Sequence, residues 1–189
     1  MELIDIVDEN NNLTGQVEER WVAFEKGLWR RTVSCWIMNE KGEVLLQKRA
    51  GEKRRNPNKW AKTGGQVDSG ETVEEAIFRE VKEEIGIEIP KEQIEIDSIY
   101  KSDDKNKRFV YNYIFVVNYK IEDYILQKEE VADVKYFTIE ELEEIRKNND
   151  LNYTFCNWSI EDFKREIDKL KSKRREILED KNTYEINKT

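Results

Sequence analysis

The chain has 189 residues and a formal net charge of −8 at pH 7, with 38% hydrophobic and 39% charged residues. That length supports one domain with a real core plus an appendage. The acidic balance excludes a general affinity for nucleic-acid backbones, which works by Lys and Arg replacing counterions, and the absence of histidine excludes Ser-His and Cys-His nucleophiles, histidine-ligated zinc and imidazole acid–base chemistry.

Catalysis then falls to carboxylates, Lys, Tyr, Cys or a hard metal held by oxygen, the donor that Mg²⁺ and Mn²⁺ prefer. Cys35 and Cys156 are too few and too separated for a disulfide scaffold, and Cys35 sits in an apolar run that suits a reduced core thiol. The opening Met1-Glu2-Leu3-Ile4-Asp5 carries acids where a signal peptide carries bases, and no window has the apolar length of a membrane span. The expected location is the cytoplasm.

Leu3–Val7 and Leu13–Val17, separated by Asp8-Glu9-Asn10-Asn11-Asn12, read as a hairpin. Trp21–Trp29 reads as loop or a short turn. Thr32–Met38 is a strand rich in β-branched and aromatic residues, Asn39-Glu40-Lys41-Gly42 a turn, and Glu43–Gln47 the returning strand. The basic stretch Lys48–Lys59 is a long loop, and Lys62–Gly70 holds three glycines before a helix at Val73–Ile85. Strands follow at Ile94–Tyr100, Arg108–Tyr119 and Val134–Phe137. A short helix at Ile139–Lys147 begins after Thr138, and an amphipathic helix spans Ile160–Leu178 with Ile160, Phe163, Ile167 and Leu170 at helical spacing. This order implies an α/β (α+β) fold, a sandwich with helices on both faces of a mixed sheet.

The helix at Val73–Ile85 carries a contradiction. Thr72 with Glu75 has capping-box spacing, and Gly86 suits a left-handed end. Val73, Ala76, Ile77, Val81 and Ile85 share one arc of the helical wheel, and Glu80 and Glu84 project inside that arc. Glu83 and Arg79 lie at its edge, while Glu74 and Glu75 face outward. Two carboxylates one turn apart on a packing face repel each other and lose hydration. Either this end of the helix protrudes into water, or a divalent cation resolves the conflict. Gly64-Gly65 upstream favour the second reading, because bare backbone can approach a ligand and offer carbonyl oxygens. Glu71 stands at the helix start, where Arg79 could hold it or Glu83 by a charge-assisted bond.

Gly65, five residues, Glu71, seven residues, then Arg79-Glu80-Val81-Lys82-Glu83-Glu84-Ile85-Gly86-Ile87 resembles a complete Nudix box over residues 65–87, with Val81 and Ile87 at its aliphatic positions. The flanks Val44–Arg49 and Trp60–Gly70 also resemble that family. The resemblance implies a hydrolase that splits a phosphoanhydride of a diphosphate or nucleotide substrate, with Mg²⁺ or Mn²⁺ bridging the diphosphate while water attacks phosphorus. By position, Glu80, Glu83 and Glu84 would be metal ligands, one of them (Glu83 or Glu84) also acting as general base. Gly65 would give a backbone carbonyl, and Arg79 and Glu71 would orient the set. Family members add an acid from outside the box, for which Glu129 and Glu130 are the candidates, Glu130 first. Of the basic cluster Lys48, Arg49, Lys53, Arg54, Arg55 and Lys59, Arg49 at a strand end is the candidate for a substrate phosphate; a solvated loop is the alternative. Trp29, Trp36, Trp60 and Tyr111 could stack on a base or prenyl group or be core.

Asp8-Glu9-Asn10, Thr14-Gly15 and Gly27-Leu28-Trp29-Arg30-Arg31 resemble the branch near isopentenyl diphosphate isomerase. Trp29, Gly64 and Gln66 stand where those isomerases have His, Cys and His, so an isomerase-like enzyme is the alternative, and a nucleotide-binding sensor without catalysis the other. The expected organisation is a Nudix domain over 1–150 and a C-terminal helical extension over 151–189 packed on it, in a monomer or homodimer that binds no membrane.

Overall fold

A computed structural model describes residues 2–103 and 106–186, with side chains through Lys181. The described residues form strands β1 (Leu3–Val7), β2 (Leu13–Glu19), β3 (Arg30–Met38), β4 (Val44–Arg49), β5 (Trp60–Ala61), β6 (Ile96–Ser102), β7 (Arg108–Val116) and β8 (Val131–Phe137). The helices are α1 (Arg20–Glu25), α2 (Val73–Ile85), α3 (Ile139–Lys147) and α4 (Ile160–Ile186). The architecture is mixed α+β, as the sequence pattern implies. The backbone divides into two compact units, Met1–Trp36 with Thr63–Phe115, and Ile37–Lys62 with Val116–Thr189.

In the first unit β1 and β2 pair antiparallel, Leu3 opposite Glu19. Their turn closes on Asp8, whose Oδ1 accepts from the amides of Asn10 and Asn12. The segment read as loop after this hairpin instead begins as helix α1. The Glu19 carboxylate caps it by accepting from the amides of Trp21 and Val22, and Ala23 packs with Ile4, Ile6 and Leu28 in a small core. Further along, β6 and β7 pair antiparallel with an irregularity between Ile96 and Ser98. Arg30 N bonds Lys107 O, Thr32 Oγ1 bonds Phe109 O and Ser34 Oγ bonds Asn112 Oδ1. These bonds advance in step along both strands, so β3 and β7 run parallel. Trp36 and Tyr111 are buried here.

In the second unit β4 is central. It pairs antiparallel with β8, Val44 opposite Phe137 through Arg49 opposite Val131, with β5 at Gln47–Ala61 and with the end of β3 at Ile37–Leu45. The two-residue β5 lies just past the stretch read as loop, at residues the sequence assigns to no element, because pairing with β4 defines it and no local pattern does. α3 starts at a full Thr138–Glu141 capping box. α4 buries Phe163, Ile167 and Leu170, but Ile160 is 72% exposed, so the apolar stripe begins one turn later than the spacing suggested. Cys35 and Cys156 are buried and belong to no disulfide. Among the described residues no helix is long and apolar enough to cross a membrane.

Candidate active site

The chemistry-bearing residues of the first unit gather where the glycine loop meets α2. Two isolated bridges, Cys35 with Thr63 and Thr32 with Gln66, lay this loop along β3, and Val33 N donates to Gly65 O at 3.0 Å. Only glycine fits at 64. Its φ is +151°, and a Cβ there would lie 2.2 Å from Val33 O. At Gly65 a Cβ would lie 2.1 Å from Glu80 Oε1, so the missing side chain is what lets the Glu80 carboxylate rest against the loop backbone.

α2 spans the residues its local signals mark. Thr72 and Glu75 form both bonds of the capping box, and Gly86 ends the helix at φ 74°. The wheel also holds, with Ala76, Ile77, Val81, Glu84 and Ile85 buried. Glu84 is 5% exposed and accepts from Gly64 N at 3.3 Å. The Glu80 side chain is 14% exposed and that of Glu83 54%, so the three box glutamates step from interior to solvent.

Arg79 organises the acids. Its Nε and Nη2 fork onto the two oxygens of Glu71 at 2.8 and 2.9 Å, and Nη2 also donates to Gln66 O at 3.0 Å. Nη1 donates to Glu80 Oε1 at 3.0 Å and to Glu83 Oε2 at 3.3 Å. Asp68 lies 3.8 Å away, and its amide donates to Glu71 Oε2. The Glu71 bond and the surrounding carboxylates hold Arg79 protonated far above neutrality, against its burial. Burial pushes Glu80 up to about 7, with Glu83 adding to the rise and Arg79 and Arg20 opposing it. Burial also lifts Asp68 above its ordinary value.

Four carboxylates (Asp68, Glu71, Glu80 and Glu83) thus crowd one guanidinium, Glu84 rests on the Gly64 amide, and the donor atoms of all five are hard oxygens. That set suits Mg²⁺ or Mn²⁺ in charge and chemistry, and Gly65 O keeps a second lone pair beyond its bond from Val33. Among the described residues no three acids converge into a ready cage, since Arg79 Nη1 sits between Glu80 and Glu83. Glu80 and Glu83 would be the residues to hold such an ion, with Glu71 forked onto Arg79.

Glu129, Glu130, Arg49 and Trp60 belong to the second unit. Glu129 is exposed in the turn before β8, while Glu130 is half-buried, paired with Lys53, and its carbonyl accepts from Ala50 N. Arg49 ends β4 and donates to Arg55 O at 3.1 Å. Trp60 packs against Phe137 and Tyr153. In the first unit Trp29 packs on Phe109 with Lys101 Nζ 4.5 Å from its ring centroid. Three participants escaped the sequence reading: Asp68, the Gln66 carbonyl and Arg20. Spacing within the box says nothing of the first two, and Arg20 lies between the hairpin and the Trp21–Trp29 segment, in no element that the sequence marks.

A NUDIX domain model matches residues 28–158. The chain is 36% identical over 160 residues to an uncharacterized Nudix hydrolase of Listeria monocytogenes, covering 83% of this chain and 92% of that protein. It is 28% identical over 156 residues to an isopentenyl-diphosphate Delta-isomerase of Photorhabdus laumondii, covering 81% and 86%. A crystal structure from Deinococcus radiodurans superposes with a TM-score of 0.60 at 24% identity, covering 78% of this chain and 90% of that one. A glutamate-rich helix capped at both ends, a glycine loop pressed against its acids and a family match across both place this chain in the Nudix hydrolase family.

Proposed function

We propose that the chain hydrolyses a phosphoanhydride bond in a nucleoside diphosphate-linked or related diphosphate metabolite. The observation that carries this reading is the crowd of carboxylates around Arg79 on a helix face that is otherwise apolar. Glu80, Glu83, Glu84 and the Gly65 carbonyl would hold Mg²⁺ or Mn²⁺, which when bound neutralises phosphoryl oxygens and the leaving phosphate. Arg79, forked onto Glu71, fixes the helix against the loop and sets the orientation of Glu80 and Glu83. The bond from Gly64 N fixes Glu84. Glu83, the most exposed of the three, is open to water and takes its proton as that water attacks phosphorus; the bond to the bridging oxygen breaks as the new P–O bond forms. Residues 1–150 would form the catalytic domain and 151–189 its helical addition.

The isomerase relationship deserves its own test, because the identity to isomerases extends over most of the chain. Moving a double bond needs an acid on one face of the substrate and a base on the other. Here a cysteine at Gly64 would drive its Cβ into Val33 O, and Gln66, at the position of an isomerase histidine, accepts from Arg30 Nε. Purified protein incubated with Mn²⁺ and a panel of nucleoside diphosphate-linked compounds should release phosphate products, and with isopentenyl diphosphate should form no isomer. Glu84→Gln keeps an acceptor for Gly64 N and should stay folded, while turnover falls by at least the roughly 100-fold that loss of a metal's outer partner costs. Full activity in that variant removes Glu84 from the ligand set; no phosphate release from any compound favours a binding-only sensor.

A further inference from the structure

Arg20 has no role in the scheme above, yet several contacts bring it to the rim of the acid cluster. Strand β1 is stitched to the loop that precedes α2: Ser69 N donates to Leu3 O at 2.8 Å, and Asp5 accepts from Ser69 Oγ at 2.7 Å and Gly70 N at 3.0 Å. Asp68 and Glu71, on either side of Ser69-Gly70, are the acids that Arg79 holds. Arg20 is tied to the start of the same strand, its amide donating to Glu2 O at 2.9 Å and its Nη1 to the Glu2 carboxylate. The charges agree with this placement, since Glu2 acts on Asp68 and Arg20 acts on Glu80. Arg20 is therefore a second arginine whose charge reaches Glu80, and it comes from residues that precede the matched domain at 28–158.

The two arginines are held differently. Arg79 spends its donors on Glu71, Gln66, Glu80 and Glu83. Among the described residues Arg20 Nη1 meets only Glu2, whose side chain is half exposed, and the guanidinium lies 5.0 Å from the centroid of the Trp21 ring. A guanidinium has five N–H donors in a fixed fork that matches phosphate oxygens. Stacking on an indole restrains that fork while leaving its edge open.

We propose that Arg20 binds the diphosphate of the substrate, exchanging Glu2 for phosphoryl oxygens. This rests on the hydrolase reading, and it makes the hairpin and α1 part of the substrate site. Glu2 is then a competitor for Arg20 and keeps the arginine extended while no phosphate is present.

The test uses the full chain and imidodiphosphate, a diphosphate that resists hydrolysis, titrated calorimetrically with Mg²⁺, alongside Mn²⁺ binding measured by itself. Arg20→Ala and the more conservative Arg20→Gln should each weaken imidodiphosphate binding on the order of 10-fold or more, as loss of a charge-assisted bond does. Mn²⁺ affinity should stay within a few-fold of the parent, because Arg20 is no ligand. Glu2→Gln should bind imidodiphosphate as well as the parent or better. A merely structural role would weaken Mn²⁺ and imidodiphosphate together, and that result overturns the proposal, as does unchanged imidodiphosphate binding in a folded Arg20→Gln protein. If the unaltered chain takes up no Mn²⁺, the hydrolase reading fails first and Arg20 loses its role with it.

Discussion

Glu80 is where burial and charge conflict most sharply, and its consequences can be measured. In the metal-free fold its carboxyl titrates at about 7, from an ordinary value of 4.5. The folded chain therefore holds this proton more tightly than the unfolded chain. Its ionisation costs stability that appears as pH rises above 4.5 and is fully present above about 7, up to about 3 kcal/mol. Glu80→Gln removes that cost. Metal-free, the variant should melt higher than the parent at pH 8 and equal to it near pH 4.5, and equal melting temperatures at pH 8 would remove the cost assigned to Glu80. A bound cation needs the ionised form, so Mn²⁺ affinity of the parent should climb about tenfold per pH unit up to roughly pH 7 and then flatten. An affinity flat from pH 5 to 8 would remove Glu80 from the ligands. The box acids were legible because their positions follow from spacing along one helix. Asp68, the Gln66 carbonyl and Arg20 were not, because chain folding alone brings them to Arg79 and Glu80.

Elements with local end signals are the ones a linear reading finds. The bounds of α2 follow from Thr72, Glu75 and Gly86, and those of α3 start from Thr138 and Glu141. α1 has no acid in its first turn and is capped by a glutamate side chain, a residue type seldom counted among caps, so five of its six residues read as loop or a short turn. β5 exists only through its partner strand. The glycine loop is the element on which the site turns, and Gly64→Ala tests it. The added methyl must displace either the Val33 carbonyl or the loop itself, which also moves the amide that Glu84 accepts. We expect a loss of roughly 2 kcal/mol or more from overpacking and a forced backbone angle, with weaker Mn²⁺ binding in the protein that remains folded. Unchanged stability and ion affinity by denaturant melt and calorimetry would show that the loop has slack.

At the scale of the chain, the missing histidines leave carboxylates, Lys, Tyr and Cys for the chemistry, and acids are what gather around Arg79. The acidity is gathered in the first unit, which carries a formal charge of −9 against +1 for the second; within that unit, what marks the site is burial of a few acids among many solvated ones. Selective binding to the native state should register in the whole molecule. Mn²⁺ at a hundredfold excess over its dissociation constant adds about 2.7 kcal/mol of stability, a shift of several degrees in melting that Glu84→Gln should lack. A parent protein that melts identically with and without Mn²⁺ would leave the acids unexplained. The way Arg79 spans Glu71, Glu80 and Glu83 has a further consequence. It keeps mutually repelling groups in register before any ion arrives, so loading is a swap of counter-charges on a finished scaffold. Protein stripped with a chelator should keep its native circular dichroism and regain full turnover at mixing speed on readdition of Mn²⁺, with no slow refolding phase.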